Sequence, residues 1–329
     1  MNRKGKYKIL ITRTDKLGDV ILALPLIAET KRLFPDSEIH FLVRSYVRDL
    51  IENYSPVDKL IILEDIEEKN SIKAFLKNEN YDMAVNVFPR YYIARDIFLA
   101  GIKTRIGSGY RWYSFLYNKK LFEHRKYAER HESEYNIDLL KTISDGVEYN
   151  KKFFFGYSPK EKSMLEGKLS FGFSDKFIIV HPGSKGSAKD WPRENFGLLA
   201  DKLLTEYEYL KIILTGTKEE EIIIKGILDS VPEKRKSGMI SLSGMLNLRE
   251  LMILIDNSKL FISNSTGPIH IAGALNKNII GFYPNEAPMN ETRWRPLSKN
   301  AVILKPDAPG GSMDEIKVEK VISETKKFM

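Results

Sequence analysis

Three polar turns, each following an apolar run of strand length, carry the residues of this chain best suited to holding an anion or handling a proton. Phe261 to Pro284, FISNSTGPIHIAGALNKNIIGFYP, reads as strand, turn, helix, strand. Ser263 to Gly267 supply hydroxyls and a permissive glycine, and Pro268 stands where the first turn of a helix tolerates proline. The free amide N–H groups of such a helix start face a phosphate well, although an ordinary capped helix would use the same residues. In Phe177 to Pro192, FIIVHPGSKGSAKDWP, a strand ends in His181 and opens into a loop with Gly183, Ser184, Gly186, Ser187 and Lys189. Glycines there let backbone amides approach an anion, and Lys189 adds a positive charge. In Ile9 to Pro25, ILITRTDKLGDVILALP, a strand meets a turn holding Arg13, Asp15, Lys16, Gly18 and Asp19. Asp19 falls at a helix start, where an acid commonly caps or sits in the first turn.

The elements that must position these turns alternate in both halves of the chain. Tyr7 to Thr12, Glu38 to Val43, Lys59 to Leu63 and Asp82 to Val87 read as strands, with helices such as Val20 to Leu33 and Ser71 to Asn78 between them. The pattern loosens after Gly101, then gives a polar helix near residues 131–144 and a basic strand near residues 151–155. From Lys176 a second alternation begins, with strands at residues 177–181, 210–215, 239–242, 259–263, 278–282 and 301–304. No internal sequence repeat is evident. The expected organisation is an α/β protein of two doubly wound Rossmann-like domains, at residues 1–155 and 176–312, joined by a linker at 156–175. In open parallel sheets ligands sit beyond the strand C-terminal ends, where all three turns fall.

Taken together the three segments resemble glycosyltransferase family 9, the ADP-heptose:lipopolysaccharide heptosyltransferase family. The residues that carry the resemblance are Leu17-Gly18-Asp19-Val20 with Pro25, His181-Pro182-Gly183 with Lys189-Asp190-Trp191-Pro192, and Ser263-Asn264-Ser265-Thr266-Gly267-Pro268-Ile269-His270. Their order and spacing agree with the family over nearly the whole chain, and the tail SMDEIKVEKVISE is similar to the family's closing helix. The resemblance implies a GT-B fold with the two domains facing a central cleft. It also implies that the tail, residues 313–329, packs back on the N-terminal, acceptor-binding domain, while the C-terminal domain binds the nucleotide-sugar.

The resemblance further implies an inverting, metal-independent transfer of a sugar, heptose from ADP-heptose, onto the lipopolysaccharide inner core or a related glycolipid. Such a transfer needs an activated acceptor hydroxyl and a stabilised diphosphate leaving group. Asp19 matches the family's Gly-Asp pair and is the candidate general base; Asp15, nearer the strand end, competes for that role. Ser184, Ser187, Lys189, Thr266 and Gly267 are the candidates for the donor diphosphate, with His181 and His270 in support. Arg13, Arg90 and Arg95 are candidate contacts for an acidic or phosphorylated acceptor. Glu250 is the carboxylate nearest to where a ribose contact would fall. Ser265 departs from the family pattern, which commonly places an Asp there to meet the donor sugar, and so opens the choice of donor. No Asp-x-Asp triplet occurs, so no metal or other cofactor is expected.

Composition bounds the alternatives. The chain has 329 residues, of which 43% are hydrophobic, enough for two cores. It has no Cys, which removes thiol nucleophiles and Cys-based zinc sites. With 52 Lys and Arg against 44 Asp and Glu the net charge is +8, which favours polyanions. No nucleic-acid recognition motif accompanies that charge, whereas an anionic membrane surface fits a glycolipid acceptor. No secretory signal or membrane span is apparent, so a cytoplasmic protein, peripheral on the inner membrane, is expected. A family relative with another donor or acceptor, or a nucleotide-sugar-binding protein without activity, are the alternatives; the latter is disfavoured by Asp19 and Lys189 occurring together. A dehydrogenase is disfavoured because no Gly-x-Gly-x-x-Gly follows the first strand.

Overall fold

The computed structural model describes residues 6–69, 71–186 and 188–329. The chain folds into two compact units, the first ending at Gly156 and the second beginning at Tyr157. The first holds a six-stranded sheet of β1 (Lys8–Thr12), β2 (Glu38–Val43), β3 (Lys59–Ile62), β4 (Met83–Asn86), β5 (Thr104–Ser108) and β6 (Lys119–Leu121) in the order β3-β2-β1-β4-β5-β6. Every pairing is parallel, with Ile9 opposite Ile39 on one side and Met83 on the other. The inner strands are continuous apolar runs, ILI in β1 and IHFLV in β2, buried along their length as a sheet covered on both faces requires. The short strand β6, which its sequence KKL does not announce, closes the edge; lysines are common on edge strands because they deter further pairing.

The second unit repeats this topology without repeating its sequence. Strands β7 (Phe177–His181), β8 (Lys211–Leu214), β9 (Met239–Ser241), β10 (Phe261–Asn264), β11 (Ile279–Phe282) and β12 (Ala301–Leu304) lie in the order β12-β11-β10-β7-β8-β9, all parallel. Numbered within its own unit, each sheet therefore has the order 3-2-1-4-5-6 of a doubly wound fold. Strand order reverses beside the first strand, between β1 and β4 and between β7 and β10, and ligands in such sheets bind beyond the strand C-terminal ends at that reversal.

Two expectations about the chain's organisation are corrected. The segment 156–175 is not a free linker: it carries the helix Pro159–Glu166, closed by a Ser158–Glu161 capping box, and is tied into the second unit. Tyr157 donates to Asp256 at 2.6 Å and Arg249 to Glu161 at 2.9 Å, while the Phe171 and Phe173 rings pack on Phe177. Residues 151–155 form no strand. The tail helix Val318–Thr325, expected on the N-terminal unit, joins the core of the second, where Met313, Ile316, Val318 and Val321 meet Trp191, Phe196, Leu199 and Leu203. Its apolar stripe fits the helix Arg193–Glu206, and the Lys202–Glu319 and Lys326–Glu206 ion pairs, at 2.7 and 2.8 Å, flank that contact. Among the described residues no helix is long and apolar enough to cross a membrane.

Candidate active site

In the first unit the chain leaves β1 at Thr12 and enters the helix Leu17–Leu33 through the turn 13–16. Thr12 hydrogen-bonds Asn86 at the end of β4, and Asn86 donates to the Tyr117 hydroxyl, both at 2.8 Å, so the strand ends at the reversal are locked together. Arg13 lies 3% exposed beneath this turn. Its Nε donates to Asp15 at 2.7 Å, one terminal nitrogen to Glu132 and Asn136 at 3.4 and 3.2 Å, and the other to Asp19 and Glu132. These five bonds occupy the five donors of a guanidinium. Arg125 shares Glu132 and Asn136, at 2.7 and 2.9 Å, and Asn136 also donates to the Leu22 carbonyl of the helix that bears Asp19.

The cluster holds three carboxylates, Asp15, Asp19 and Glu132, against two guanidiniums, which leaves a local excess of negative charge. Burial pushes the Asp15 carboxyl up to about 6, helped by the Asp19 charge and opposed by Arg13. Burial works against the charge on Arg13, yet the flanking acids hold its guanidinium above its ordinary range. Asp19 is thus oriented through one oxygen by a saturated cation, and its side chain keeps 17% exposure. That arrangement suits a general base: a carboxylate held in place by Arg13 and still reachable from solvent.

Among the acceptor candidates, Arg13 has the surroundings of a positioning group and no donor left for a ligand. Arg90 is exposed and lies over the Phe88 ring at 4.4 Å, a ring that Arg13 approaches at 5.9 Å, so it stands beside the cluster. Arg95 is tied to its neighbour Asp96 at 2.8 Å. Glu132, Asn136 and Arg125 carry no motif in the sequence; they reach the cluster from more than 100 residues away, which only the fold could show.

In the second unit the turn after β7 and the turn after β10 are stitched together by Asn264, a fully buried side chain. Its Nδ2 donates to the Pro182 carbonyl at 2.6 Å, and its Oδ1 accepts from the Trp191 N–H at 2.8 Å, gripping both ends of the 182–191 loop. Trp191 stacks on Phe282 at 4.4 Å and donates to the Ile316 carbonyl at 2.9 Å, so it braces the loop from within the core. Gly183 packs against the Glu220 carboxylate so closely that a Cβ there would lie 2.0 Å from Oε1. Ser184 is buried and hydrogen-bonds Asp190. Ser187 lies outside the described residues. Lys189 is half exposed and pairs with Glu286 at 2.8 Å.

The helix Gly267–Ala274 begins directly after β10, with Thr266 at its N-cap in extended conformation, no side-chain capping bond and Pro268 in its first turn. The Thr266 hydroxyl and the first amides of this helix therefore remain available to an anion. His270 is buried on the same helix, its ring centroid 6.5 Å from that of Trp294. His181 lies 3.0 Å from the Thr215 hydroxyl, and burial pushes its imidazole down to about 4, against the pull of Glu220, so it is neutral near pH 7. Ser265 is 9% exposed; its N–H donates to Phe282 at 3.0 Å, and its side chain hydrogen-bonds Tyr283, whose hydroxyl reaches the Trp294 carbonyl at 2.9 Å. Glu250 accepts from the Asn247 N–H at 3.1 Å as a helix cap and also holds Lys168, so a ribose hydroxyl would compete with both.

Comparison with known proteins bears on what this pair of sites is for. A family model described as glycosyltransferase family 9 (heptosyltransferase) matches residues 70–320. The chain is 29% identical over 327 residues to a putative glycosyltransferase of Haemophilus influenzae, covering 95% of this chain and 93% of the relative. It is 27% identical to lipooligosaccharide heptosyltransferase 2 of Haemophilus ducreyi, over 91% of this chain and 88% of that protein. The structure of E. coli ADP-heptose lps heptosyltransferase II is similar at a TM-score of 0.84 and 23% identity, with 98% of each chain covered. A glycosyl transferase family 9 structure from Veillonella parvula is similar at 0.83 and 20% identity, over 98% of this chain and 97% of that one.

Proposed function

The chain belongs to glycosyltransferase family 9 and is a glycosyltransferase of GT-B fold, and on that premise we propose that it moves a heptose from ADP-heptose onto the lipopolysaccharide inner core or a related glycolipid. The observation that carries this reading is the pairing of two different sites, each at its own sheet's reversal: an oriented carboxylate in the first unit and an anion-receiving turn in the second. Asp19 accepts the proton of the acceptor hydroxyl as its oxygen forms the new glycosidic bond. The bond from the anomeric carbon to the diphosphate breaks on the opposite face, which inverts the anomeric centre, and ADP departs with the bonding electrons. The charge growing on the diphosphate is met by the Thr266 hydroxyl, the amides at Gly267 and beyond, Ser184, and Lys189 released from Glu286. Those groups supply the stabilisation from the protein itself, which supports transfer without a metal.

Donor ADP-heptose and a lipopolysaccharide acceptor are supported by relatives named for these reactions, and a lipid-borne acceptor supports work at a membrane surface, in this reading the cytoplasmic face of the inner membrane. A second reading, with another ADP-sugar as donor, is favoured by Ser265, whose side chain is turned to Tyr283. Transfer rates for ADP-heptose and other ADP-sugars, measured for the wild type and for Ser265→Asp, separate the two. A heptose enzyme prefers ADP-heptose and sharpens that preference with the added carboxylate. An enzyme for another sugar prefers a different donor and loses rate, because a buried carboxylate without partners is costly. Activity that disappears with EDTA and returns with Mg²⁺ would overturn the metal-independent step.

A further inference from the structure

The net charge of the chain is concentrated in one place. Residues 103–130 hold eight Lys and Arg against two Glu, an excess of six in a chain whose whole excess is eight. Arg105, Arg125 and Arg130 are spent on internal bonds. Lys103, Arg111, Lys119, Lys120 and Lys126 are exposed and make no ion pair among the described residues. The same stretch exposes large rings: Trp112 at 73%, Phe115 at 65%, Phe122 at 60% and Tyr127 at 55%.

These rings are displayed by a built platform. The connection from β5 to the edge strand β6 is pinned from beneath by Tyr113, whose hydroxyl donates to the Pro89 carbonyl at 2.5 Å, and by Leu116 and Tyr117, buried against Ala94. Arg105 donates to the Leu116 carbonyl at 2.8 Å and so fixes the same turn. With its inner side anchored, the loop turns Trp112 and Phe115 outward. Phe122 lies on the bare backbone of Gly109, where a Cβ would fall 2.4 Å from its ring. Tyr110 stacks on His124 with centroids 4.0 Å apart and meets Phe122 at 5.5 Å.

We infer that this aromatic and basic rim of the β5–β6 edge is the surface by which the protein docks on an anionic lipid bilayer. Trp, Tyr and Phe settle at the headgroup boundary, and unpaired Lys and Arg beside them are attracted to the negative surface. A protein partner fits less well, since lysine is depleted from protein interfaces. The inference rests on the proposed function in one respect: a lipid-anchored acceptor gives the enzyme a reason to sit at a membrane.

The test uses the full chain and phosphatidylcholine vesicles with and without phosphatidylglycerol, free of any acceptor. The protein sediments with the anionic vesicles and not with the neutral ones, salt weakens the binding, and the fluorescence of exposed Trp112 shifts to the blue. Lys119→Glu with Lys120→Glu, or Trp112→Ser with Phe115→Ser, lowers partitioning roughly tenfold or more. Trp112→Phe keeps the binding and loses the spectral shift, which ties the contact to this loop in a variant that preserves the packing. Equal partitioning of wild type and variants, absence of binding to anionic vesicles, or binding of single-stranded oligonucleotides in preference to vesicles overturns the inference. Transfer to a water-soluble, delipidated acceptor keeps the two proposals apart. Transfer without vesicle binding sinks the docking surface alone, and vesicle binding without transfer sinks the proposed function alone.

Discussion

The two sites are built by opposite means. In the first unit, the carboxylate at Asp19 is held by side chains, and those side chains come from three separate stretches, around residues 13–19, 125 and 132–136. In the second, the turn proposed for an anion is mainly backbone: a glycine- and serine-bearing loop, an open helix start, and Asn264 gripping both loop ends. A side-chain cluster of buried charges is specific and brittle, because each member leaves another uncompensated when removed. A backbone site is tolerant, since its donors survive most substitutions.

The sharpest break in that comparison is Asp19→Asn. Turnover is expected to fall about 10²- to 10⁴-fold, the scale for losing a general base, with ADP-sugar affinity by calorimetry nearly unchanged. Turnover close to wild type would remove Asp19 from the chemistry and leave the cluster a structural one. Next comes Arg13→Met, which leaves Asp15, Asp19 and Glu132 crowded around an apolar chain. The protein should lose about 3–5 kcal/mol of stability in urea, the range for breaking a buried charge network. A loss below about 1 kcal/mol would show that Arg125 and solvent carry the load.

Asp15 gives a pH signature. Its carboxyl titrates at about 6 in the folded protein and at 3.8 in the reference state. The folded form thus holds the proton more tightly, so this contribution to stability is full below the lower value and is lost as pH rises through the upper one. The difference amounts to at most about 3 kcal/mol. Asp15→Asn should remove this slope, so that the stability gap between variant and wild type changes between about pH 4 and 6 and is flat above. A gap independent of pH would place the titration elsewhere.

Lys189→Ala is the mildest perturbation expected. Loss of one charge-assisted hydrogen bond, offset in part because Glu286 is released too, should weaken ADP binding about tenfold and leave adenosine binding unchanged. An equal loss for both ligands would make the lysine a structural residue, and a much larger loss for ADP would mean that the second site leans on side chains as heavily as the first.

Much of this is legible in the sequence. Alternating apolar runs and helical stretches give both sheets, because buried parallel strands are written as continuous Val, Ile and Leu. The three turns are visible as motifs because the residues of each lie close together in the chain. The edge strand β6 was not legible, since KKL has no strand signature and pairs only because Gly107 and Ser108 are beside it. Nor was the place of the tail, whose amphipathic stripe fits many surfaces until the helix Arg193–Glu206 offers the matching one.

The family, the α/β alternation and the polar turn suited to an anion in the second unit are written locally in the chain, because short-range spacing and backbone freedom specify such features. The long-range partners of Arg13 and Glu250, and the side chain that Ser265 meets, are not written there and follow from the folded arrangement alone. Whether a polar side chain meets a ligand or another residue depends on which groups the fold brings within hydrogen-bond distance. For these three they are Glu132 and Asn136, Lys168, and Tyr283 in turn.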